Sequence, residues 1–182
     1  MLARGPGDAQ MSGPVFHFFA NDHRRLDALL SAATRAHGEI DAQSFERFRT
    51  GLLKHIAIEE KLLFPALRAA RGGTPLSVAA MLRVDHGALA ALLVPTPTPD
   101  IVEKIRSVLV PHNQREEAPT GVYALCDSTL SAADVEHLLK QVRGFPEVPV
   151  NPHNDRPEVM KHVAMSLDLS RRQWLEDGRP DR

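Results

Sequence analysis

The chain has 182 residues, 43% of them hydrophobic and 25% charged, which suits one globular domain with a real core and a small appendage. A formal net charge of −1 and a pI of about 6.8 arise from Arg and Lys scattered among Asp and Glu, which leaves no broad basic field for nucleic acid or an anionic membrane surface. The single cysteine, Cys126, excludes a disulfide framework and a thiolate metal site within one chain, so any metal must use nitrogen and oxygen ligands.

Residues 1–13 are Gly-rich and patternless and read as a flexible leader without the basic, apolar, small-residue succession of a signal peptide; a cytoplasmic location is the default expectation. From Pro14 onward, Phe16, Phe19, His23, Leu26 and Leu30 recur at steps of three and four, the spacing of one helical face. A second stripe runs Phe45, Phe48, Leu52, His55, Glu59 and Leu62, closing at Phe64-Pro65 or at Gly72-Gly73. The third, Ala79, Leu82, His86, Leu89 and Leu93, ends at Pro95, Pro97 and Pro99, which cannot continue a helix. Thr98-Pro99 then reads as an N-cap followed by proline in the first turn, and Ile101, Ile105, Val108 and His112 form the fourth stripe. Beyond Cys126 a short helix is expected over about 131–143, opened by Ser131. A link stiffened by Pro146, Pro149, Pro152 and Pro157 follows, and then a last amphipathic segment over about 157–176, ending near Gly178. Charges interrupt the apolar stretches every few residues, so no membrane span is expected, and β-branched residues nowhere form convincing alternating runs. The sequence therefore predicts an all-α fold: a helical bundle over 14–126 and a helical extension over 127–182, which either packs on the bundle or pairs two chains as a homodimer.

The halves of the bundle repeat one another. Asp22-His23-Arg24-Arg25-Leu26-Asp27-Ala28-Leu29-Leu30 and Asp85-His86-Gly87-Ala88-Leu89-Ala90-Ala91-Leu92-Leu93 both read DHxxLxALL, while His55 and His112 are each followed four residues later by a Glu-Glu pair, Glu59-Glu60 and Glu116-Glu117. Two such αα-hairpins would assemble about a pseudo-twofold axis, each contributing the same polar set to the middle.

That polar set lies on core faces, where an imidazole or carboxylate costs several kcal/mol unless its polar atoms find partners. Positions i and i+4 share one face roughly 6 Å apart, so His55 with Glu59, and His112 with Glu116, can each reach a common ion. Together with His23 and His86 they make a candidate set of six ligands, more than one tetrahedral zinc would use. Two metal ions bridged by the glutamates and a water or hydroxide use them all. Mixed imidazole and carboxylate ligands favour two Fe ions, with Zn or Mn as alternatives. Asp22 and Asp85 are expected to accept a hydrogen bond from a ligating imidazole or to be exposed or capping residues, and Glu60 and Glu117 to be solvated or to support the ligands. His17, His37, His137, His153 and His162 lie off the repeat and read as surface or structural histidines. Tyr123 is close enough to the fourth helix to point at the site, with a packing role the stronger expectation, and Cys126 reads as a small buried residue.

The order His, HxxxE, His, HxxxE over about residues 14–126 resembles the hemerythrin-like family, or HHE cation-binding domain. The resemblance implies an up-down-up-down four-helix bundle around a non-haem di-iron centre that binds O2 or a related small molecule such as NO. The set of four histidines and two glutamates is similar to that of bacterial di-iron proteins associated with iron–sulfur cluster repair and nitric oxide stress, and to the iron-sensing domain of a eukaryotic F-box protein. Where oxygen carriers place a further histidine in the third helix this chain has Ala90, and no cysteine precedes its bundle. Pro111 beside His112 and the Pro119-Thr120-Gly121 break after Glu116 make the fourth-helix half the weaker part of the pattern. The leading expectation is a protein that binds or senses O2, NO or iron. An oxidase, peroxidase, NO-detoxifying or cluster-repair enzyme, and a structural metal-binding bundle, are the alternatives.

Overall fold

A computed structural model describes residues 13–34 and 39–177, and every regular element among them is helical. The leader up to residue 12, His37 and the stop at Gly178 lie outside the described residues. Helix α1 (Pro14–Ala33) opens on proline, whose missing N–H would have had no intrahelical acceptor in the first turn. Its first free donors, the N–H groups of Val15 and Phe16, go instead to the carboxylate of distant Asp127 at 3.0 and 2.9 Å. Helix α2 (Ala42–Ile58) is capped by Asp41, which accepts from the Ser44 N–H at 2.7 Å. It runs on through a π-helical turn, Glu59–Leu63, into α3 (Phe64–Ala70), and the rod ends at Gly72 and Gly73, both at positive φ. Helix α4 (Ser77–Leu92) follows, then α5 (Pro99–Glu116) with Thr98 as its cap, α6 (Val122–Thr129), α7 (Ala132–Arg143) capped by Ser131, and α8 (Pro157–Asp177).

The π turn has a local cause. Pro65 offers no N–H to the Lys61 carbonyl and its ring crowds that carbonyl, so the turn before it widens and the Phe64 N–H reaches back five residues to Glu59. The widened turn inserts one residue into the stripe. Leu63, not the expected Leu62, is therefore the fully buried leucine, and Leu62 is left half-buried. The stripe resumes at Phe64 and Leu67.

Pairs of contacts fix the helix directions. Leu26 lies against Gly51 while Asp22 meets His55, so α1 and α2 run antiparallel. Arg49 meets Leu93 and Glu59 meets His86 across α2 and α4, while Met81 meets Arg115 and Asp85 meets His112 across α4 and α5. Thr34 to Arg106 and His23 to Glu116 close the ring between α1 and α5. Each neighbouring pair is antiparallel, giving an up-down-up-down bundle with further C-terminal helices. Of these, α6 packs on α1, and α8 lies antiparallel along α4 with Gln173 donating to the Met81 carbonyl at 2.9 Å.

Buried apolar side chains form two separate bodies. One holds Leu30, Phe45, Phe48, Leu89 and Ile105, joined by Val163 and Leu167 of α8; the other holds Phe19, Leu63, Leu67, Leu82 and Cys126. Along α1, α2 and α4 the change from one body to the other falls at a histidine, and α5 belongs to the first body up to His112. A polar layer thus crosses the core, walled on both sides by side chains whose truncation would cost about 2–5 kcal/mol each.

Candidate metal centre

The structure brings all six sequence-predicted residues into that layer. His23 comes from α1, His55 from α2, Glu59 from the π turn, His86 from α4, and His112 and Glu116 from α5. None is more than 4% exposed, and both glutamates are completely buried. Their donor atoms form two groups, His23, His55, Glu59 and Glu116, and Glu59, His86, His112 and Glu116, in each of which all the atoms lie within 4.8 Å of one another. The glutamates belong to both. Glu59 reaches His55 Nε2 with one oxygen at 3.3 Å and His86 Nε2 with the other at 3.1 Å, so it spans the two groups. Glu116 Oε2 lies 3.2 Å from His112 Nε2 and 3.4 Å from His23 Nε2. Helix α5 passes through Pro111 without ending, so Glu116 lies in its last turn, ahead of the break.

With each Nε2 turned inward, each Nδ1 meets a carboxylate: His55 with Asp22 at 2.9 Å, His86 with Glu60 at 2.8 Å, His23 with Glu117 at 2.6 Å and His112 with Asp85 at 3.4 Å. The pairing crosses helices. The aspartate of each DH doublet orients the histidine of the following HxxxE element, and the second glutamate of each EE doublet orients a DH histidine. Such partners fix tautomer and ring plane and leave the inner nitrogen free to coordinate. Glu60 and Glu117 are thus hydrogen-bond partners rather than merely solvated groups, which the repeat signalled by doubling both the DH and the EE.

The polar set is electrostatically balanced by protons. Burial alone would depress His55 and His112, but the Glu59 and Glu116 charges and the bonds to Asp22 and Asp85 push each up to about 10. Glu59 would be raised by burial, yet His55 and His86 hold it well below the usual carboxylate range, and Glu116 is lowered despite its burial and the nearby Glu59 charge. Even so, Glu116 Oε1 is buried without a hydrogen-bond partner, and Glu59 Oε2 and His86 Nε2, although 3.1 Å apart, are not aligned to form one. Orphaned acceptors in a dry layer of carboxylates and imidazoles are what a cation would satisfy, so the donor set fits a metal.

Tyr123 departs from its expected packing role. Its ring does pack, stacked on Phe19 with centroids 4.8 Å apart, but its hydroxyl enters the site. It donates to Glu59 Oε1 at 2.6 Å and lies 3.0 Å from Glu116 Oε2 and 3.1 Å from His23 Nε2. Gly121 makes this approach possible, because a Cβ there would stand 2.3 Å from the Glu116 carbonyl oxygen. The break after α5 is the turn that folds α6 back onto the site. Of the histidines off the repeat, His17, His137 and His162 are exposed, and His153 bridges Glu46 and the Val94 carbonyl far from the layer.

Residues 15–119 match the family model of the hemerythrin HHE cation binding domain. No curated protein and no solved structure matches the chain significantly. The match and the two buried His/Glu groups together support a bound metal cation. No described helix is long and apolar enough to cross a membrane.

Proposed function

The chain belongs to the hemerythrin family of HHE cation-binding domains, and on that premise we propose that its bundle holds two iron ions and binds or senses O2, NO or iron itself. The observation that carries this reading is the sharing of Glu59 and Glu116 between two donor groups, the arrangement of a carboxylate-bridged two-metal centre. His23 and His55 would hold one ion, His86 and His112 the other, with a water or hydroxide completing the bridge. Imidazole and carboxylate ligands with open positions suit iron better than zinc or manganese. The ions, when bound, supply the redox and Lewis-acid chemistry that captures a diatomic molecule.

The chain's own groups prepare the place. Asp22, Glu60, Asp85 and Glu117 hold the imidazoles in the coordinating tautomer, and the two apolar bodies keep bulk water from the layer. The test is metal analysis of protein from iron-replete cells, followed by optical spectra of the anaerobically reduced form before and after O2 or NO. About two irons per chain and a spectral change with either gas are expected. Iron-free protein, or a diferrous form blind to both gases, overturns the reading, and sustained turnover with a reductant would make the centre that of an enzyme.

A further inference from the structure

We propose that Tyr123 is itself a metal ligand, binding through its phenolate oxygen the ion held by His23 and His55, so that the small-molecule position belongs to the ion held by His86 and His112. The inference rests on the two-metal reading above and assigns different tasks to its halves.

Position is the first argument. The Tyr123 oxygen lies 2.6 Å from Glu59 Oε1, 3.0 Å from Glu116 Oε2, 3.1 Å from His23 Nε2 and 3.4 Å from His55 Nε2, within hydrogen-bond distance of an atom of every residue in the first donor group. A phenolate is a hard anionic oxygen donor of the class that suits ferric iron, and it stands among the other donors of that ion.

The second argument is asymmetry. Tyr123 follows Glu116 by seven residues, and the residue seven after Glu59 is Ala66, which carries no donor atom. The His86 and His112 group therefore has no counterpart to the tyrosine. Two orphaned atoms fall there as well: His86 Nε2 and Glu59 Oε2, the glutamate oxygen that the phenol does not reach. One half of the centre is supplied with an extra oxygen, and the other is left open.

Rigidity is the third. The ring is fully buried against Phe19, the Gly121 turn holds the start of α6, and Asp127 at the far end of the same helix caps α1. A side chain fixed at both its ring and its helix is a preorganised ligand rather than a visitor to the site. On metal uptake the phenol O–H loses its proton to solvent and the oxygen takes the ion in its place, so loading releases one proton more than the histidines and glutamates account for.

The chain contains a single tyrosine, so any tyrosinate signal is Tyr123. Wild-type protein and Tyr123→Phe would be loaded with ferric iron, their iron content measured, and their visible absorption and resonance Raman spectra recorded. A phenolate-to-iron charge-transfer band with enhanced tyrosinate ring modes is expected in the wild type and its complete loss in Tyr123→Phe. Full iron loading of the wild type without those modes overturns the ligand assignment while leaving the two-metal reading intact, whereas failure to load iron overturns both. Should Tyr123→Phe not fold, the wild-type spectrum decides alone.

Discussion

Asp22 and Asp85 occupy the same place in the repeat and perform the same task, yet their surroundings differ. Asp22 borders a groove of about 970 Å³ that also touches Arg25, Lys54 and Glu147, and its second partner is the half-exposed Arg25 guanidinium at 2.7 Å. Burial would raise its carboxyl, but the His55 and Arg25 bonds hold it at about 2. Asp85 is fully buried beneath α8, where Ser170 donates to Oδ1 at 2.6 Å and the Trp174 indole N–H at 3.2 Å. The indole is in turn covered by the Arg115 guanidinium, 3.8 Å from its ring centroid. A duplicated motif fixes which atoms face the metal. What is later laid over each copy decides how wet, and how replaceable, its support is.

The largest perturbation should ignore this difference. Glu59 belongs to both donor groups, so on the proposed two-metal reading Glu59→Ala is expected to lose both ions and the stability that goes with them, measured as metal content and as the thermal midpoint with and without metal. Retention of one full equivalent would show that the two halves bind independently.

Next in size is pH. In the metal-free protein His55 and His112 are raised to about 10, so the stability they contribute is complete below their ordinary value of 6.5 and is lost as pH climbs through 10. Glu59 and Glu116 are lowered, so their contribution is present above the ordinary 4.5 and is lost as pH falls. Denaturant titrations should show metal-free protein weakening on both sides of neutrality, while metal affinity falls steadily with acid because protons compete for the imidazoles. The two histidines should titrate alike despite their unlike aspartates.

Asp85→Ala and Asp22→Ala then separate the halves. Removing Asp85 strands the Ser170 and Trp174 donors in a dry site and should cost about 2–4 kcal/mol by denaturant unfolding, together with a roughly 10–100-fold loss of metal affinity at one site. Removing Asp22 frees the half-exposed Arg25 guanidinium to solvent and leaves the buried His55 Nδ1 facing a groove that water can enter. A stability loss below about 1 kcal/mol is expected, with a comparable loss of affinity at the other site. Equal stability losses would mean that the cover from α8 contributes nothing.

The sequence made legible what short-range periodicity carries. Stripes at steps of three and four placed the bundle helices, and the DHxxLxALL and HxxxEE copies picked out the residues that meet in the polar layer. Leu62 was misplaced because the π turn answers to Pro65, a breaker the rod absorbs rather than obeys. The Asp85 contact with Ser170 joins residues 85 positions apart and depends on how α8 lies on α4, which no local pattern encodes. Tyr123 needed the Gly121 turn, read from sequence as a weakness beside Glu116. A lone tyrosine two helical turns beyond a candidate ligand was the one available signal.

The position of α8 also sets an order in time. Asp22 and His55 are synthesised within about one hairpin of each other and can pair as soon as that hairpin leaves the ribosome. Asp85 must wait for Ser170 and Trp174, the far end of a long closure, before its carboxylate is fully engaged. The nascent chain therefore completes one aspartate support early and the other almost last, so protein interrupted before α8 would hold His23, His55 and His86 by their own carboxylates while His112 still awaits its lock.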